Sequence, residues 1–391
     1  MMRADTRLRF EPSELLAQAS PQEASRGAIL LTGGTGFFGP FLLKSLLEQC
    51  EGEVFVLVRA KDPAAGMQRL REALATVGVP PGAKALDWER RVRPVCGDLA
   101  EANLGLSRTD WQLLSRQVHT IYHNGALVNY LFDYAAMRET NVGGTHEVIR
   151  LALSDRVKVL NHISTTFVFG WSVKKTLFET DTNPDMEHLD FGYSQSKWVS
   201  EQVVLRAMQD GLQARIFRPA LLSPSIAGKG YHFDISIRLL AFMLKHRIGT
   251  TAKNQVSFFP ADLAADNIVA ISSLPESLST TCHVTRDTYA TMLDITTILA
   301  RLTRQSFENF ALNDFVPEVI ERCQKDDPLF PLLNFLVRSV SNITAMEFKR
   351  YDNSNFQRFR GQVTQGKEDP LLEDVVVGIL RFMRGHGIVE D

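Results

Sequence analysis

The segment Ala28-Ile-Leu-Leu-Thr32 followed by Gly33-Gly34-Thr35-Gly36-Phe37-Phe38-Gly39 constrains this chain more than any other. A continuous apolar run of this length is too short for a helix and fits a parallel strand buried on both faces. Glycines at 33, 36 and 39 then lead into Phe41–Cys50, which has helical spacing. In a strand–turn–helix, three such glycines allow a tight turn, backbone approach to a pyrophosphate and close helix–strand packing. Free N–H groups at the helix start attract phosphate, and Pro40 is tolerated in a first turn. The turn is read as a dinucleotide cradle in preference to a purely structural bend.

The same alternation continues downstream. Val54–Val58, Arg91–Val95, Thr120–Tyr122, Lys158–Ile163 and Ala214–Phe217 read as strands. Met67–Thr76, Thr109–Arg116, Gly144–Ala152 and Ser194–Met208 read as helices. Such spacing means βαβ units, so the expected fold is an α/β, doubly wound parallel (Rossmann) sheet. After Ser223 the pattern weakens. Residues 225–250 and 286–391 read as a smaller, mostly helical substrate lobe, while Val256–Phe259 and Cys282–Val284 could return strands to the sheet. The expected division is a polar lead-in over 1–26, with one short helix around Pro12–Ala19, a Rossmann domain over 27–224 with 251–285 returning to it, and the lobe.

Composition excludes other classes. Forty-three Lys and Arg against forty-five Asp and Glu give a net charge of -2, so no nucleic-acid partner is expected. Cys50, Cys96, Cys282 and Cys323 lie far apart, and the nine histidines show no ligand spacing. Neither a disulfide scaffold nor a metal site is expected, and a reducing cytoplasm fits. Charge and Ser/Pro near Met1 argue against a signal peptide, and no apolar run is long enough for a membrane span. The chain reads as a complete soluble protein, although a domain excised from a longer one would read the same.

The second strand ends Val58-Arg59-Ala60-Lys61. NAD sites usually place an acid there for the ribose 2′-hydroxyl. Here Arg59, with Arg69 on the next helix, suits a 2′-phosphate, so NADPH is the expected cofactor. Asp98, after the third strand, reads equally as a contact for the adenine amino group or as a turn residue. Asn124, Gly125 and Ala126 follow the fourth strand, where small residues admit the cofactor. Asn141 reads as a support for a later helix or as a buried structural amide.

That later helix carries Tyr193-Ser-Gln-Ser-Lys197, and residues four apart share a helical face. An ammonium beside a phenol lowers its pKa and eases proton transfer. The fifth strand delivers Ser164-Thr165-Thr166 to the carboxyl edge of the sheet, where ligands of open α/β sheets bind. For Ser164 and Thr166, capping or turn roles are the preferred reading.

Taken together, these residues resemble the extended short-chain dehydrogenase/reductase superfamily, and within it the thioester reductase family. That family includes terminal reductase domains of nonribosomal peptide synthetases, carboxylic acid reductases and α-aminoadipate reductase. The resemblance runs from about residue 27 to near the C-terminus. It rests on Leu31–Gly39, Leu57–Ala60, Cys96–Leu99, Ile121–Ala126, Asn141–Thr145, Ser164-Thr165, Tyr193–Trp198 with Glu201, and Arg218-Pro219. By position before Val168-Phe169-Gly170, it implies that Thr165 is the catalytic hydroxyl, with Tyr193 and Lys197 as the catalytic pair. It implies cofactor contacts from Thr32, Gly33, Thr35, Gly36, Phe37, Phe38, Gly39, Arg59, Arg69, Asp98, Leu99, Asn124, Gly125, Ala126, Tyr193, Lys197, Pro219 and Leu222. It also makes Asp327–Pro331 part of the substrate-facing lobe.

The implied activity is NADPH-dependent reduction of an acyl thioester, held on a phosphopantetheinyl carrier protein or coenzyme A, to an aldehyde or onward to the alcohol. Two other readings stay open. One is a dehydrogenase acting on a free aldehyde, ketone or nucleotide sugar, and the other is a non-catalytic NADP-binding sensor or scaffold. The chain departs from the family at Phe38, where an aliphatic residue is common. It departs again at Ala220-Leu-Leu-Ser-Pro224, where a glycine and a Gly-Asp-Ser-like turn are usual.

Overall fold

A computed structural model describes residues 1–7, 27–80, 82, 88–230, 234–346, 349–364 and 369–389. The helix expected around Pro12–Ala19 lies outside the described residues. Seven strands form the main sheet: β1 (Ala28–Thr32), β2 (Val54–Val58), β3 (Val92–Cys96), β4 (Val118–His123), β5 (Val159–Ile163), β6 (Ala214–Pro219) and β7 (Thr281–Val284). Their order is β3-β2-β1-β4-β5-β6-β7, and every pairing is parallel. The chain reverses direction across the sheet between β1 and β4, which opens a crevice at their carboxyl ends.

The apolar runs are continuous because both faces are covered. Ile29 and Leu31 enter one core together with Val54, Val56 and Val58. Leu30, Phe55 and Leu57 point the other way into a second core, as a period of two requires. The connecting helices are α1 (Gly39–Gln49), α2 (Pro63–Thr76), α3 (Arg108–Gln117), α4 (Gly144–Ala152) and α5 (Gly192–Gln209). Helix α2 starts four residues before the expected Met67. Asp62 caps it by accepting from Ala65 N at 2.8 Å, and Pro63 takes the first position, a pairing that favours helix starts.

The later segments interleave with the sheet. Helices α6 (Ile235–His246), α7 (Ala261–Ser272), α8 (Met292–Thr303), α9 (Leu312–Arg322), α10 (Leu333–Ala345), α11 (Ser354–Val363) and α12 (Leu372–Gly385) follow. Helices α6, α8, α9, α10 and α12 contribute to a third core that includes Phe242, Leu299, Phe315, Leu336 and Phe382. Helix α7 returns to the sheet face through Ala264, Ala265 and Ile268, and α11 joins it there through Phe356 and Phe359. Thr281–Val284 rejoins the sheet as β7. Phe258–Pro260 instead pairs with Leu221–Ser223 in a separate two-stranded ladder, so the atypical segment after Pro219 is a short strand.

One buried carboxylate ties α11 to the sheet. Glu179 is 3% exposed and accepts from His283 N (2.8 Å), Asn355 N (2.6 Å) and Phe356 N (3.2 Å). Burial outweighs these donors and pushes its pKa from 4.5 up to about 7. A carboxyl with that shift binds its proton more tightly in the folded protein than in the unfolded chain. Its contribution to stability therefore falls as pH rises between about 4.5 and 7. Glu179→Gln removes this titration. The melting temperature of the variant minus that of wild type is expected to grow more positive from pH 5 to pH 8, measured by thermal scans across that range.

Candidate active site

At the carboxyl edge, the turn after β1 and the turn after β4 touch backbone to backbone. Gly33 has φ +71°, and a Cβ built there would sit 2.6 Å from Gly125 Cα. A Cβ on Gly39 would lie 2.0 Å from Gly33 O, whereas one on Gly36 meets nothing nearer than 3.4 Å. Gly33 and Gly39 thus serve packing, and Gly36 is the exposed glycine that leaves room for a ligand. Thr32 is fully buried. Its Oγ1 accepts from Gly125 N at 2.9 Å and bonds His123 Nδ1 at 2.8 Å, so its side chain fixes the two turns and does not face the cleft. Asn124 Nδ2 donates to Gly33 O at 3.3 Å across the same seam.

Beyond the turns lies a cavity of about 550 Å³. Gly33, Gly36, Phe37, Phe38, Asn124, Gly125 and Ala126 line one side, and Thr165, Tyr193, Lys197, Pro219 and Leu222 line the other. The lobe closes it with Asp234, Ile235, Arg238, Pro331 and Leu332. Among the expected residues, Thr35, Gly39, Arg59, Arg69, Asp98 and Leu99 are not in this wall. Arg59 and Arg69 are exposed side by side at the tip of β2. Arg69 Nη1 donates to Arg59 O, and neither makes an ion pair among the described residues. The next acid along the chain, Asp62, is the cap of α2. Asp98 is half-buried and accepts from Ala100 N at 3.0 Å, so one oxygen serves the turn. Leu99 packs against Gly125 and Gly144.

Three hydroxyls follow β5, and they take different directions. Ser164 Oγ donates to Glu201 Oε2 at 2.5 Å. Thr166 bonds the Tyr351 phenol. Thr165, in the cavity wall, bonds the Tyr193 phenol and accepts from Phe167 N at 3.2 Å. Thr165 is therefore the hydroxyl beside the tyrosine. Lys197 lies one turn along α5 from Tyr193, and its Nζ donates to Ile163 O at 2.8 Å. Asn141 bridges the β4 turn to this helix. It pairs with Leu127 N and O at 2.7 and 3.0 Å and donates to Ser196 Oγ at 2.8 Å, so it supports the helix through a side chain.

The electrostatics differ from the sequence expectation. Burial raises the pKa of Tyr193 well above its ordinary value. Asp234 raises it further, and only the Thr165 bond opposes. Burial also lowers Lys197 to about 8, partly offset by Glu201. The ammonium is directed at the Ile163 carbonyl, so desolvation and Asp234 dominate at the phenol. Burial and Asp234 thus favour the protonated phenol at Tyr193. Two wall residues carried no sequence signal. Tyr130 Oη donates to Asp234 Oδ1 at 3.3 Å, and its ring centroid is 6.1 Å from that of Tyr193. Asp234 reads in sequence as no more than the cap of α6.

Beneath the site is a buried ion pair. Arg218 Nη2 and Glu201 Oε1 are 2.6 Å apart, and both side chains are essentially inaccessible. The same arginine donates to Asp181 O at 2.9 Å, bonds His283 Nε2 at 3.2 Å and lies over the Phe169 ring. This pair joins β6, β7 and α5 directly behind Ser164.

Comparison with known proteins gives the family. Residues 31–268, more than half of the chain, match the NAD-binding family described as Male sterility protein. The chain belongs to that family. A linear gramicidin synthase of Brevibacillus parabrevis is 35% identical over 322 residues, 81% of this chain but 6% of that protein. Nonribosomal peptide synthetase asaC of Aspergillus flavus is 32% identical over 377 residues, 90% of this chain and 36% of that protein. The chain thus spans only a small part of these curated relatives. Among solved structures, the terminal R domain from the myxalamid PKS-NRPS biosynthetic pathway superposes with a TM-score of 0.91 at 29% identity, covering 100% of this chain and 98% of that one. These likenesses to nonribosomal peptide synthetases and to a terminal R domain run in the same direction as the resemblance the residues carry. The matched family is one of nicotinamide-dinucleotide-binding domains. Among the described residues, no helix is long and apolar enough to cross a membrane, and no metal-ligating cluster occurs.

Glu201→Gln would leave the Arg218 charge buried without its counter-ion. A loss of about 3–5 kcal/mol in urea-denaturation stability is expected. A loss below about 1 kcal/mol, the scale of a surface pair, would contradict this account.

Proposed function

We propose that the protein reduces an acyl thioester, carried on a phosphopantetheinyl arm or coenzyme A, to an aldehyde with NADPH. The observation that carries this reading is the Thr165–Tyr193 hydroxyl pair beside Lys197, in a cavity that the glycine turn opens onto. The glycine turn fits a dinucleotide, because Gly33 and Gly125 pack with no Cβ between them and leave Gly36 exposed in the cavity wall, where a pyrophosphate can approach its backbone. Adjacent Arg59 and Arg69, without an acid in the usual ribose position, support the 2′-phosphate of NADPH. When bound, the nicotinamide supplies a hydride to the thioester carbon.

The chain's own groups do the rest. Thr165 and Tyr193 donate hydrogen bonds to the carbonyl oxygen as negative charge develops there, where fixed donors in a dry site act most strongly. Tyr193, held protonated by its surroundings, gives its proton to that oxygen. Lys197, anchored on Ile163 O, stands beside it to hold ribose hydroxyls. The resulting hemithioacetal separates into aldehyde and free thiol, with the proton passing to sulfur. The reaction is assigned to the cytoplasm on the spacing of the four cysteines.

With purified protein and a panel of acyl thioesters, Tyr193→Phe and Thr165→Val are expected to lower NADPH consumption by about 10²–10⁴-fold. NADPH binding, followed by its fluorescence, should persist. Unchanged turnover by Tyr193→Phe would overturn the assignment. Separately, Arg59→Ala combined with Arg69→Ala should raise KM for NADPH about tenfold or more, with KM for NADH nearly constant. Equal effects on both cofactors would remove the 2′-phosphate reading.

A further inference from the structure

A second cavity of about 420 Å³ adjoins the first and shares Tyr130 and Leu131 with it. It lies between the lobe helix α10 and the segments around 130–133 and 190–195. Its inner end is aromatic. The Tyr130 and Phe335 ring centroids are 5.1 Å apart, and those of Phe191 and Phe335 are 5.4 Å apart. Its outer end is polar, with Asn334, Gln195 and Arg338.

Two carboxylates also line it, but both are engaged. Asp190 accepts from Trp171 Nε1 at 2.5 Å and from Asn342 Nδ2 at 3.3 Å. Asp133 caps the turn that follows it, accepting from Ala136 N at 2.9 Å. Arg338 is exposed on the outer face of α10, and among the described residues no hydrogen bond or ion pair to its guanidinium is found. The Asn129 side chain shapes the shared rim by accepting from Leu131 N and Phe132 N at 2.8 and 3.1 Å. This displays Leu131 and Phe132, 57% and 46% exposed, at the mouth.

An aromatic passage that meets the first cavity at Tyr130, whose ring neighbours Tyr193, amide side chains along its course and an uncommitted guanidinium at its far end match one ligand chemistry. We propose that this second cavity receives the pantetheine part of the thioester, with Arg338 binding the phosphate on its 4′-oxygen. The proposal rests on the thioester reading above. A guanidinium forks onto phosphate oxygens, Asn334 and the Gln195 amide oxygen can bond the pantetheine amides, with Gln195 Nε2 held on Leu189 O, and Tyr130 and Phe335 border the thioester end. A carrier serine and coenzyme A present the same phosphate, so both sources share this contact.

The test measures binding by calorimetry to the full chain. Wild type should bind 4′-phosphopantetheine about tenfold more tightly than pantetheine, the scale of one charge-assisted contact. Arg338→Ala should abolish the difference while leaving pantetheine binding unchanged, and Arg338→Lys should restore part of it. Equal affinity of wild type for the two ligands, absence of binding, or a difference that survives in Arg338→Ala would each overturn the proposal. Two further ligands separate the sources: tighter binding of a phosphopantetheinyl-serine peptide points to a carrier, and tighter binding of coenzyme A points to the free thioester. NADPH consumption with thioesters tests the reductase reading independently, so loss of the phosphate contact and loss of the activity are distinguishable.

Discussion

The carboxyl edge of this sheet depends on two turns packed with no side chain between them. Gly33 and Gly125 leave no space for a Cβ at their contact, and the Thr32 hydroxyl locks the seam from below. Hard-sphere repulsion at such separations is steep, so this is a constraint on shape and not a weak preference. The seam sets how far β1 and β4 stand apart at their ends. It thereby shapes the edge of the cavity that Gly33, Gly36 and Gly125 line.

Behind that surface, polar groups are buried in numbers that a typical core avoids. Ser164, Glu201, Arg218, His283 and Glu179 form one hydrogen-bonded chain from the carboxyl edge of the sheet to the start of α11. Burying such charges is costly, and the neighbouring carbonyls and N–H groups offset only part of that. What the network provides is direction. Each member has a partner on a different element, so Ser164 is held toward Glu201 while the adjacent Thr165 is left to face the phenol.

Much of the fold was legible in the sequence because buried parallel strands and a glycine turn leave strong local patterns. Tyr193 and Lys197 were legible through a four-residue spacing, and Thr165 through a family resemblance. Other parts were not. Tyr130 and Asp234 are single residues in ordinary loop and cap positions, and only three-dimensional packing brings them to the phenol. The effect of Lys197 on Tyr193 was expected from proximity along a helix, yet burial and Asp234 decide the shift. The ladder between Leu221–Ser223 and Phe258–Pro260 joins segments too short to carry a period.

Helix α11 has a consequence for how the molecule comes together. Phe356 and Phe359 complete a core whose other members begin at Ile29, and β7 reaches the sheet only at Thr281. The dinucleotide fold is therefore unfinished until most of the polypeptide has left the ribosome. Shortening the chain after β6 would leave an apolar face of the sheet uncovered, because Phe259, Ala264, Ile268, Phe356 and Phe359 all come from later residues.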